Sequence, residues 1–272
     1  MSLVDTDWLE KNLDKVKIID CSWHMPAENR NAQDEFDKEH IPNAIFFDLD
    51  KNSKQDTDLP HMLPSLVAWN EIISDLGISN DDQIVIYDNS NVISSCRGWY
   101  NFIYFGHDPK LVNVLDGGFK KWKSENKKTS NISSNLNKSN YEGNELSKLV
   151  KNKVLIDQNI SKKEFKVVDA RSRERFEGKA PDPRKNVRSG SIPNSVCLPF
   201  VEVINENKTF KNKEDLNKLF QEISKNFEEN LVFSCGSGVT ACVLALAYSL
   251  VDNTYTPTIY DGSWAEYGKV KN

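Results

Sequence analysis

The chain has 272 residues, 38% of them hydrophobic and 28% charged, with 35 basic residues against 40 acidic and a net charge of −5. That length serves one large domain or two ordinary ones of ~100–150 residues, and the charge balance excludes a polyelectrolyte made for nucleic acid or a membrane surface. Five cysteines, at 21, 96, 197, 235 and 242, form no CxxC pair, which argues against a disulfide framework or a zinc knuckle and for a reducing compartment, the cytoplasm.

The opening stretch "MSLVDTDWLE" lacks the basic and apolar regions of a signal peptide. Beyond it, "KIID" (17–20), "AIFF" (44–47), "QIVIYD" (83–88) and "VNVLD" (112–116) are short β-branched runs that predict buried parallel strands. Helix-period segments over 65–77 and 96–106 lie between them. Residues 124–152 are rich in Asn, Ser and Lys, and predict a polar linker draped over the surface. The pattern then resumes, with strands "KVVDA" (166–170), "SVCLP" (195–199), "LVFS" (231–234) and "TIYDG" (258–262) and helices over 213–227 and 239–250. The longest apolar run, "VLALAYSLV", falls well short of the ~20 residues that span a bilayer.

The second half repeats the first. Asp20 aligns with Asp169, Ile41-Pro42-Asn43 with Ile192-Pro193-Asn194, and Asp116-Gly117 with Asp261-Gly262. A duplicated strand-helix alternation predicts an α/β protein of two tandem domains, each an open parallel sheet with helices on both faces. The expected boundaries are 1–130 for the first domain, 131–152 for the linker and 153–272 for the second. Ligands of such sheets gather at the carboxyl ends of the strands.

Cys235 sits at such an end, in Ser234-Cys235-Gly236-Ser237-Gly238-Val239-Thr240. A cysteine here can receive curled backbone N–H groups and the positive end of the following helix, both of which favour the nucleophilic thiolate. The two glycines are expected to supply positive-φ turns. At the equivalent point the first copy has Asp88, which forms no covalent sulfur intermediate, so the first domain reads as non-catalytic. A phosphatase loop needs an arginine six residues after its cysteine, and here that residue is Ala241. Cys21, Cys96, Cys197 and Cys242 read as packing, as do His40 and His107 in loop positions, with His24 undecided. No Cys/His cluster supports a metal.

Two tandem domains, an active cysteine in the second, "HIPNA" and "SIPNS" after the first strands, and "DGSWAEYG" near the end resemble the rhodanese superfamily. The loop "CGSGVTA" is similar to the branch whose sulfur donor is 3-mercaptopyruvate. Thiosulfate-using relatives place two basic residues after the cysteine, where this chain has neutral Gly236 and Ser237. The resemblance implies a Cys235 persulfide, with the loop residues Gly236, Gly238, Val239 and Thr240 around the sulfur, and no cofactor. "RFEGKAPDPR" (175–184) matches the family segment whose arginines grip the donor's carboxylate and keto group, which maps onto Arg175 and Arg184. "DLDKNSKQDTDLPHMLP" (48–64) matches the segment that supplies an Asp and a His. By spacing these are Asp50 and His61, with Asp48 the near competitor, and with Ser237 they imply a Ser-His-Asp relay. The sequence departs from the family at Cys96, where relatives have Pro, and at Tyr267, where Trp is usual. The implied partners are 3-mercaptopyruvate and a thiol acceptor such as thioredoxin or a small thiol, with no nucleic acid and no membrane. The alternatives are thiosulfate as donor, or a non-catalytic binding module of the same fold.

Overall fold

The computed structural model describes residues 2–134, 136–224, 230–252 and 254–270. They form two compact units: Met1–Gln55, Leu63–Leu146 and Glu206–Thr209 in the first, and Asp56–Met62, Ser147–Asn205 and Phe210–Asn272 in the second. The first unit runs β1 (Leu3–Val4), α1 (Thr6–Glu10), β2 (Lys17–Asp20), α2 (Ala32–Lys38), β3 (Ala44–Phe46), α3 (Leu66–Asp75), β4 (Ile84–Tyr87), α4 (Ser95–Tyr104), β5 (Val112–Leu115) and α5 (Gly118–Ser124). The second runs β6 (Val150–Lys151), α6 (Lys153–Lys162), β7 (Lys166–Asp169), α7 (Arg173–Phe176), β8 (Val196–Cys197), α8 (Lys213–Ile223), β9 (Leu231–Ser234), α9 (Val239–Val251), β10 (Ile259–Tyr260) and α10 (Ser263–Tyr267).

Each unit holds a five-stranded parallel sheet, ordered β1-β5-β4-β2-β3 in the first and β6-β10-β9-β7-β8 in the second. The two orders are the same when the strands are counted from each unit's start, which is the duplication in three dimensions. Helices cover both faces because side chains alternate along a strand. In β4, Val85 and Tyr87 pack with Leu9, Phe36, Phe119 and Trp122 from α1, α2 and α5. Ile86 points the other way, toward α4, where a Cβ on Gly98 would lie 3.2 Å from it. In the second unit Val167, Val232 and Tyr260 pack with Ile156 and Trp264, while Phe233 meets Phe220 of α8 and Tyr248 of α9.

Three details differ from the sequence reading. The edge strands β1 and β6 were not anticipated. The segment read as a loose polar linker is partly packed: Tyr141 and Leu149 are buried, and the amides of Ser139, Asn144 and Leu146 donate to Ser74, Phe105 and Tyr104 of the first unit. The helix expected over 213–227 ends at Ile223, and residues 225–227 lie outside the described residues. Among the described residues no helix is long and apolar enough to cross a membrane.

Candidate active site

Cys235 follows β9, the central strand of the second sheet, and precedes α9. The strand "LVFS" is buried throughout and α9 is apolar on nearly every side, so both ends of the loop are fixed in the core. The first amides of α9 have no intrahelical acceptor and carry the positive end of its dipole. A third element holds the loop from outside. The Cys235 N–H donates to Ser263 Oγ at 3.1 Å, the Cys235 carbonyl accepts from the Trp264 amide at 2.9 Å, and the Gly236 carbonyl accepts from the Ala265 amide at 2.9 Å. All three partners belong to α10. Cys235 is 2% exposed and Ser237 6%. Only one of the two glycines plays the expected part: Gly238 has φ 79°, and Gly236 is not among the positive-φ residues. Gly236 is needed for space instead. A Cβ there would lie 3.2 Å from Arg184 Nη2, 3.3 Å from its Nη1 and 3.6 Å from Arg175 Nη2.

Those distances bring both expected substrate arginines to the residue beside Cys235. Between the guanidiniums stands Asp182, with a fully buried side chain. Its Oδ2 accepts from Arg175 Nη2 at 2.6 Å. Its Oδ1 accepts from the Arg184 amide at 3.0 Å and from Nη1 at 3.2 Å. Burial alone would push this carboxyl up, but the hydrogen bonds of Arg175 and of the Arg184 amide, and the two guanidinium charges, hold it below the ordinary carboxylate range. Arg175 Nε is buried and has no hydrogen-bond partner.

His61 belongs to the second unit through the segment Asp56–Met62. Its Nδ1 lies 3.0 Å from Ser237 Oγ, and the residue is buried with φ 59°, a left-handed conformation that non-glycine residues seldom adopt. The structure thus brings together Cys235, Gly236, Ser237, Gly238, Val239, Thr240, His61, Arg175 and Arg184. Asp50 belongs to the first unit, where its carboxylate accepts from Trp23 Nε1 at 3.1 and 3.0 Å. Asp48 is engaged by Lys51, through its amide and its amine, each at 3.0 Å.

Sequence reasoning missed Asp182 and the α10 contacts. Asp182 stood in view within "PDPR", and "DGSWAEYG" was read only as a family mark. It also missed a stack around Trp264. The guanidinium carbons of Arg171 and Arg188 lie 4.5 and 4.7 Å from the centroid of the Trp264 ring, and the indole Nε1 donates to the Arg188 carbonyl at 2.8 Å.

The other candidate groups are accounted for. Burial pushes Cys197 up to about 12 and Cys21 well above the ordinary thiol range, so neither is a thiolate at neutral pH. His40 meets the carbonyls of Phe36 and Ile132 at 2.6 and 3.2 Å, and His107 meets the Tyr141 hydroxyl and the Asp82 carbonyl at 3.2 and 3.0 Å. His24 Nε2 lies 3.2 Å from Glu35. In the first unit the Asp88 carboxylate occupies its own loop, accepting from the Ser90 amide at 2.8 Å and the Ser95 amide at 3.0 Å. Among the described residues no group of three His, Cys, Asp or Glu stands where it would hold a metal ion.

The rhodanese-like domain family matches residues 5–125 and again 153–269. The thiosulfate/3-mercaptopyruvate sulfurtransferase 1, mitochondrial, of Arabidopsis thaliana is 39% identical over 289 residues, covering 97% of this chain and 75% of that protein. The 3-mercaptopyruvate sulfurtransferase of Mus musculus is 36% identical over 274 residues, covering 98% and 91%. Among solved structures, SseA of Escherichia coli, described as a 3-mercaptopyruvate sulfotransferase, is similar with a TM-score of 0.84 at 28% identity, covering 97% of this chain and 99% of the other.

Proposed function

Since the chain belongs to the rhodanese-like domain family, in its two-domain form, and is a sulfurtransferase, we propose that it takes sulfur from 3-mercaptopyruvate onto Cys235 and passes it to a thiol, releasing pyruvate. The observation that carries this donor is the convergence of Arg175 and Arg184 on Gly236, next to the nucleophile. Two guanidinium forks suit an α-keto carboxylate, whose carboxyl and carbonyl oxygens lie in one plane. In this reading residues 153–272 form the catalytic domain, 131–152 the linker, and 1–130 a domain without a nucleophile.

The Cys235 thiolate attacks the donor's thiol sulfur. An S–S bond forms as the C–S bond breaks, and the electron pair of that bond leaves on carbon as the pyruvate enolate. The enolate takes one proton and departs as pyruvate, leaving a persulfide on Cys235. The α9 dipole favours the anionic forms of both thiol and persulfide. Ser237 and His61 handle the proton, a role worth ~10²–10⁴-fold in rate. An acceptor thiolate, from a small thiol or thioredoxin, then attacks the outer sulfur and displaces the Cys235 thiolate. The cysteine itself carries the sulfur, so the scheme uses no cofactor. We place the reaction in the cytoplasm, because five cysteines outside any disulfide and a thiol acceptor call for a reducing compartment; the Arabidopsis relative is mitochondrial by name, and cell fractionation separates the two locations.

A second donor, thiosulfate, is favoured by the two-donor name of the Arabidopsis relative. Pyruvate release from mercaptopyruvate, measured beside thiocyanate formation from thiosulfate and cyanide, tests both. Turnover of thiosulfate alone would replace the proposed donor, and turnover of neither would make the chain a binding module.

A further inference from the structure

An anion-binding pair of arginines gains nothing, for affinity alone, from a buried carboxylate between them. Asp182 repels any anion that approaches Arg175 and Arg184, and it uses guanidinium donors that a substrate would otherwise receive. It is nevertheless held rigidly. Pro181 and Pro183 flank it, which restricts the backbone on both sides. Its carboxylate takes three hydrogen bonds from the two arginines, at 2.6, 3.0 and 3.2 Å. The same guanidiniums approach the Cβ direction of Gly236, Arg184 to 3.2 and 3.3 Å and Arg175 to 3.6 Å.

We propose that Asp182 is a positioning residue that sets donor specificity: it aims both guanidiniums at the loop and lowers the charge of the cluster from two positive to one, so that the site accepts a donor with one negative charge over a donor with two. Mercaptopyruvate carries one negative charge on its carboxylate; thiosulfate carries two. The inference rests on the reading of Cys235 as the sulfur-accepting nucleophile. A unit charge a few ångström from the donor, at the effective dielectric of a partly exposed site, changes the preference between the two donors by about tenfold or more.

The test compares Asp182→Asn, which keeps the shape and removes the charge, with Asp182→Glu, which keeps the charge. The kcat/KM ratio of thiosulfate to mercaptopyruvate should rise about tenfold in the Asn variant and stay near the wild-type ratio in the Glu variant. Equal loss on both donors in the Asn variant would mean that Asp182 only supports the loop. A second measurement needs neither turnover nor a variant. In the wild type, pyruvate should protect Cys235 from alkylation by iodoacetamide at lower concentration than sulfate does, at constant ionic strength. Equal or better protection by sulfate overturns the inference even in a protein that releases pyruvate from mercaptopyruvate. Absence of that pyruvate release overturns the donor reading instead, and the protection result still decides the charge argument.

Discussion

Gly236→Ala isolates the fit of the arginines to the loop. Because Gly236 does not occupy the left-handed region, alanine meets no backbone penalty there, and a compatible Gly→Ala change stabilises by about 0.4–1 kcal/mol through the unfolded chain. The new methyl would stand 3.2 and 3.3 Å from the two Arg184 nitrogens, so the guanidinium must retreat by a few tenths of an ångström. Its Nη1 also donates to Asp182 Oδ1 at 3.2 Å, so the retreat must disturb that hydrogen bond or carry Asp182 with it. Weakening one charge-assisted contact to the donor costs about 1–2 kcal/mol, or roughly 5- to 30-fold in kcat/KM. Pyruvate release with mercaptopyruvate varied, beside a thermal melt, reads both quantities. Activity at the wild-type level would refute the close approach of Arg184 to the loop. A fall in melting temperature parallel to the fall in activity would refute the claim that the effect is local.

Cys235→Ser should abolish turnover with every donor, and the wild type incubated with donor alone should gain one sulfur, about 32 Da, on the peptide that carries Cys235; sulfur on Cys21 or Cys96 would reassign the nucleophile. Arg175→Ala and Arg184→Ala should each lower kcat/KM for mercaptopyruvate by about 10- to 150-fold and lower thiosulfate use less, whereas equal losses would give these arginines a scaffold role. Asp20 is buried, and burial, eased by hydrogen bonds from Ser22 and Tyr87 and aggravated by Asp88, raises its pKa from 3.8 to about 6. A raised carboxyl stabilises the fold when protonated, so its contribution is present below pH 3.8 and lost as pH rises through about 6. Urea unfolding of Asp20→Asn should therefore gain on the wild type by up to about 3 kcal/mol between pH 4 and 7, and parallel curves would contradict it.

The central strands were legible because buried parallel strands are written as β-branched runs, as in "QIVIYD" and "LVFS". Leu3–Val4 and Val150–Lys151 were not, because two residues carry no period, and only pairing with β5 and β10 makes them strands. Tyr141 and Leu149 were hidden for a related reason: isolated apolar side chains in a polar segment give no pattern, yet each finds a buried place. The candidate loop was legible from residue type, since a cysteine between a buried strand and a helix N-terminus stands where a thiolate would be favoured. What surrounds it was not. Gly236 was read for its backbone freedom and serves by its missing side chain. Asp182 was passed over because a carboxylate beside two arginines in a sequence looks like ordinary surface charge, and only its burial makes it otherwise. In the same way, nothing in Ser263 announces that its hydroxyl receives the Cys235 amide.

The two copies of the loop differ in what fills them. In the first, Asp88 is a permanent occupant, bonded to the amides of Ser90 and Ser95, and its carbonyl accepts from the Phe119 amide at 2.9 Å. In the second, the proposed thiolate and persulfide would be passing cargo, while the corresponding carbonyl of Cys235 is held by the Trp264 amide at the same distance. The outer clasp is shared, and the inner filling is not. In the proposed cycle that outer clasp, made by Ser263, Trp264 and Ala265 to the backbone of Cys235 and Gly236, engages no sulfur atom, so loading and unloading the sulfur would not require it to open.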